Sequence, residues 1–62
     1  MTTYLVQYVL EPNEPVAVSD WAEHTSNVSI RDNGQNTKQL LIEKMIKTLS
    51  SPFIILDYWQ TN

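Results

Sequence analysis

Phe53-Ile54-Ile55-Leu56-Asp57-Tyr58-Trp59, close to the end of the 62 residues, decides the fold. Aromatic and β-branched side chains of this kind fit a pleated, half-buried surface. Successive side chains of a strand point to opposite faces. Here one set is Phe53, Ile55, Asp57 and Trp59 and the other is Ile54, Leu56 and Tyr58, so both faces are largely apolar. A strand of that kind needs cover on two sides, and a central place in a sheet is predicted for it. Tyr4-Leu5-Val6-Gln7-Tyr8-Val9-Leu10 has the same character and is predicted to lie beside it.

A helix leads into the last strand. Asn36 stands where a cap is needed, with Gln39 three residues later in the capping-box position. Leu41, Ile42, Met45, Ile46 and Leu49 then recur at helical spacing, while Lys38, Glu43, Lys44 and Lys47 take the opposite side. Ser50-Ser51-Pro52 ends the pattern, because proline disfavours helical geometry in the residue before it. The helix is expected over roughly 37–50 and the strand over roughly 53–60.

The stretch between the first strand and the helix is less regular. Pro12 and Asn13 suit the centre of a turn, after which Val16-Ala17-Val18 is expected to return as a strand. Ser19 to His24 reads either as a short helical turn or as a bulged strand carrying Trp21 inward. The preferred reading puts strand character on both sides of a loop at Thr25 to Asn27, with Val28-Ser29-Ile30 as a short strand before the turn Asp32-Asn33-Gly34. The expected architecture is a single α+β domain over 1–62. It has a three- to four-stranded, mainly antiparallel sheet and one helix packed across one face, in the order β-β-(β)-α-β.

Composition narrows the function. With 42% hydrophobic and 18% charged residues the chain is that of an ordered domain. At this length only about 60% of the unfolded surface is buried on folding, and the usual remedies are disulfides, metals or partners. There is no cysteine and one histidine, so neither thiol chemistry nor an ordinary zinc site is expected, and no cofactor is implied. No apolar run approaches the roughly 20 residues of a membrane helix, and Met1-Thr2-Thr3 has no basic flank before an apolar run that Gln7 interrupts, so no signal peptide is expected. A cytoplasmic protein is expected. Seven acids against four bases give a net charge of −3, which disfavours direct nucleic-acid binding and suits a protein partner with a basic surface.

Two groups of residues are candidates for contact with such a partner. The more aliphatic side of the two strands, with Leu5, Val9, Ile54 and Leu56, is expected under the helix. That leaves Tyr4, Tyr8, Phe53 and Trp59 as an open aromatic face, unless Trp21 or a folded-back loop covers it. Glu11, Glu14, Asp20 and Glu23 form an acidic group in a half of the chain that has no lysine or arginine before Arg31. His24 with Asp20, and Glu23 beside them, has metal-binding or general-base chemistry, but without a second histidine or a cysteine it reads as a solvated polar loop. Asp57, with Glu43 on the helix, could serve as a general acid if buried but reads as a partly exposed or paired carboxylate.

The leading expectation is therefore a small acidic, non-enzymatic protein that binds a larger protein through the aromatic face, the acidic patch or both. Its size and architecture are those of phage and mobile-element accessory proteins that inhibit or adapt host complexes, an analogy of size and architecture only. A subunit that self-associates as a homodimer through the uncovered sheet face is the second expectation, and a very small enzyme built on His24 and carboxylates the third.

Overall fold

The computed structural model describes residues 1–61. Strand β1 (Thr2–Leu10) is followed by a 3-10 turn at Val18–Asp20, strand β2 (Glu23–Ile30), helix α1 (Thr37–Thr48) and strand β3 (Phe53–Gln60). The three strands form one antiparallel sheet in the order β2-β1-β3. The result is the expected small α+β fold, ordered β-β-α-β.

Strand β1 takes the centre and β3 an edge, which corrects the expectation that the last strand is central. The apolar density of β3 is met in part by β1 along one side, and the remainder stays open. Residues 11–20 are exposed throughout and Val16-Ala17-Val18 forms no strand. The short 3-10 turn sits there instead, and β2 runs unbroken through Thr25 to Asn27 where a loop was expected.

Both β2 and β3 run antiparallel to β1, so they are parallel to each other, and β2-α1-β3 is a crossover with β1 between its ends. Such connections are right-handed in about 98% of cases, which leaves one face of the sheet for the helix. That face carries Tyr4, Val6 and Tyr8 of β1 with Val28 and Ile30 of β2, all buried in one core with Leu41 and Met45 of α1. Leu10, Leu40, Leu49, Phe53, Ile55 and Tyr58 pack around it. Covering the aromatic side rather than the Leu5 and Val9 side reverses the sequence expectation.

The entry to α1 explains part of that choice. The Tyr4 hydroxyl donates to Asp32 Oδ2. Asp32 Oδ1 accepts the Gly34 N–H at 3.0 Å and the Thr37 hydroxyl at 2.9 Å. Asn33 Oδ1 accepts the N–H groups of Gln35 and Asn36, each at 3.0 Å. Gly34 has φ +75°, a conformation a side chain would strain. Asn36 does occupy the cap position, but its own side chain makes no capping bond, and Gln39 Nε2 reaches Glu43 at 3.4 Å rather than back to the cap. Of the two capping-box bonds the turn supplies one, from the Asn36 N–H to Asn33 Oδ1, and Tyr4 ties that turn to the central strand.

Candidate functional site

Strand β3 differs from β1 in one local feature. Its pairing runs Tyr4 with Gln60, Leu5 with Trp59, Val6 with Tyr58 and Gln7 with Asp57, then shifts by one residue to Tyr8 with Ile55, Val9 with Ile54 and Leu10 with Phe53. Leu56 is the extra residue of a bulge, and alternation resets across it. Phe53 and Ile55 point to the helix side before the bulge, Tyr58 does so after it, and Trp59 lies opposite Leu5 on the helix-free side. Strict alternation from Phe53 would have put Trp59 with Phe53.

The expected aromatic face is therefore dispersed. Tyr4 and Tyr8 are core residues at 8% and 7% exposure, and Phe53 is half-buried beside them. Tyr4 meets Tyr58 edge-on with ring centres 5.9 Å apart, and Tyr8 meets Phe53 edge-on at 6.3 Å. Only Trp59 of the four stands on the open side, 44% exposed. With it are Leu5, Ile54 and Leu56, the last two 44% and 48% exposed.

That side has one partial cover. Val18, Ser19 and Trp21 stand with Val9, Glu23 and Leu56 around a cavity of about 480 Å³, and Val9 is buried although no helix lies above it. Trp21 is anchored by its indole N–H, which donates to the Val16 carbonyl at 3.2 Å. A folded-back segment thus exists, but it lies at the Val9 end of the helix-free face and not over the Tyr4 and Tyr8 side where the sequence expectation placed it. Polar β2 residues continue the surface, where the hydroxyls of Thr3 and Ser29 lie 2.8 Å apart across the strands.

A second apolar feature lies on the helix side of β3. Helix α1 packs over β2 rather than β3. A groove of about 780 Å³ remains beside β3, walled by Lys38, Ile42, Ile46 and Leu49 of the helix and floored by Phe53 to Ile55. Ile46, expected in the core, is 60% exposed. The helix buries Leu41 and Met45, and its apolar stripe is wide enough that Ile42 and Ile46 fall on the flank toward β3. Five apolar residues at 41, 42, 45, 46 and 49 were the sequence signal for this second flank, read there as one face.

The acidic candidates are distributed along an exposed loop and its ends. Glu11, Glu14 and Asp20 are exposed in the 11–22 connection, and Glu23 opens β2 opposite Val9. His24 pairs with Tyr8 and its ring stacks on that tyrosine at 5.6 Å, on the helix side of the sheet. Glu23 takes the opposite face, as does Asp57 opposite Gln7. The strand thus separates His24 from those two carboxylates. No group of three or more metal-ligating side chains occurs among the described residues.

Among the described residues, Tyr4 and Asp32 form the perturbed titrating pair, and they tie the helix entry to β1. Its hydrogen bond to Asp32 raises the Tyr4 hydroxyl above the ordinary tyrosine range. The same bond, with the Gly34 N–H, holds Asp32 below the ordinary carboxylate range. No helix among the described residues is long and apolar enough to cross a membrane. Comparisons with protein-family models, curated proteins and solved structures find no match to this chain.

Proposed function

We propose that this protein is a non-enzymatic binding module that docks a larger protein on the helix-free face of its sheet. The observation that carries this reading is the half-exposed strip Leu5, Ile54, Leu56 and Trp59, left open because the helix covers the other side. Isolated exposed apolar residues are ordinary, but four on one sheet face, one of them a tryptophan, have the composition of a binding hot spot.

Carboxylates border the strip. Glu23 stands at its Val9 end, Asp57 lies opposite Gln7 between Trp59 and Ile54, and Asp20 is in the adjoining turn. Apolar residues with carboxylates among and beside them suit a partner surface that carries both apolar pockets and basic residues, and the net charge of −3 steers such an encounter. An adaptor or inhibitor of a cytoplasmic complex, of the kind phage and mobile elements deploy, is the role this surface suits.

Parallel affinity capture from the native cell with wild type, Trp59→Ala and Glu11→Gln/Glu14→Gln tests the reading. The expected result is a protein retained by wild type and by the loop variant but lost from folded Trp59→Ala. Equal capture by wild type and Trp59→Ala, or loss only in the loop variant, would overturn it.

A further inference from the structure

The backbone of β3 identifies what fits the groove on its helix side. Glu11 N–H donates to the Pro52 carbonyl at 2.9 Å, which makes Glu11 and Pro52 a hydrogen-bonded pair. Bonded and non-bonded pairs alternate along an antiparallel ladder. Val9 with Ile54 is therefore bonded, whereas Leu10 with Phe53 and Tyr8 with Ile55 are not. The N–H and C=O groups of Phe53 and Ile55 turn away from β1 toward the open edge. Farther along, Asp57 Oδ1 accepts the Tyr58 N–H at 2.8 Å, so the protein's own side chain engages that donor. The open stretch is short, free of charge from Ser50 to Leu56, and symmetric about Ile54.

We propose that a second copy of this chain pairs with it, the two β3 strands running antiparallel about a two-fold axis at Ile54. Phe53 then exchanges both backbone bonds with Ile55 of the second copy, and Ile55 with its Phe53. Ile54 meets its counterpart across the axis. The sheet grows to six strands, and both helices fall on the same face because the axis is perpendicular to it. This inference does not depend on the reading of the helix-free face, but it sets two such faces side by side.

Symmetry, charge and burial favour a second copy over a foreign strand. The outward groups stand one residue to either side of Ile54, as an isologous contact requires. The register places Asp57 opposite Ser51 and Leu56 opposite Pro52, so no like charges meet. Each copy also brings the groove of the other a matching apolar wall, since Ile42, Ile46, Leu49, Phe53 and Ile55 line both. A 62-residue domain without disulfides gains core in this way.

Absence of native cysteine allows a direct test. Non-bonded antiparallel partners have Cα atoms about 4.5 Å apart, within disulfide reach. Oxidised Ile54→Cys is expected to become a covalent dimer, while Leu56→Cys, two residues from the axis and similarly exposed, stays unlinked. Sedimentation equilibrium of wild type should give twice the 7.2 kDa chain mass in the micromolar range, and folded Ile54→Lys should halve it. Wild type at single-chain mass, or equal cross-linking of the two cysteine variants, would overturn the proposal.

Discussion

Strands β1 and β3 look alike in the sequence, with nearly continuous aliphatic and aromatic residues, yet they hold opposite positions in the sheet. β1 is paired on both edges, and its alternating set Tyr4, Val6 and Tyr8 is buried under the helix. β3 is paired on one edge, carries a bulge at Leu56, and leaves Ile54, Leu56 and Trp59 half exposed. Apolar composition therefore measures how much surface a strand could bury, while its neighbours decide how much it does bury. The surplus on β3 is where both proposed contacts lie.

The largest expected effect comes from placing the same charge on each strand. Val6→Asp puts a carboxylate at a fully buried position with no partner, which costs several kcal/mol against a total stability of roughly 5–15. The monomer should be unfolded by circular dichroism. Leu56→Asp on β3 should retain a cooperative melt, and equal loss in both would break the contrast.

Aromatic truncation should show the same contrast at smaller scale. Tyr8→Ala removes a buried ring that contacts both His24 and Phe53, and a loss of about 3 kcal/mol is expected in urea titration. Trp59→Ala should cost about 1 kcal/mol, because much of its ring is already in water. A reversed order would mean that the helix-free face is the tighter core.

Acid and alkali sharpen the account of why β1 holds the helix. Asp32 is lowered in the folded protein, so its contribution is present above the ordinary carboxylate range and is lost as pH falls through the lowered value. Tyr4 is raised, so its contribution is present below the ordinary tyrosine range and is lost as pH rises through the raised value. Tyr4→Phe should have a flatter stability-versus-pH curve at both ends. An unchanged acid limb would show that the turn, rather than the tyrosine, controls Asp32.

The smallest effect belongs to the flank of α1. Ile46→Asp should change stability by less than about 1 kcal/mol in the monomer, whereas Met45→Asp, one residue earlier and buried, should unfold it. Comparable melts would mean that the helix is rotated from the position described.

The sequence by itself determined the first strand, the helix, the last strand and the fold class, but not the unbroken β2 strand or the strandless stretch before it. Helix periodicity from Leu41 to Leu49, the stop at Ser50-Ser51-Pro52 and the density of strand-forming residues at both ends are local signals, and local geometry answers to them. Candidate surface residues were legible as types: Trp59 stands on an open face, while Tyr4, Tyr8 and Phe53 went to the core. What tertiary structure decided was which side of each element faces inward. Strand order placed β1 in the middle, the helix took the face of Tyr4, Val6 and Tyr8, and a single extra residue at Leu56 moved Trp59 away from Phe53. A one-residue shift reverses every later side chain in a strand. No composition or periodicity encodes that shift, because it arises only when β3 is laid against β1.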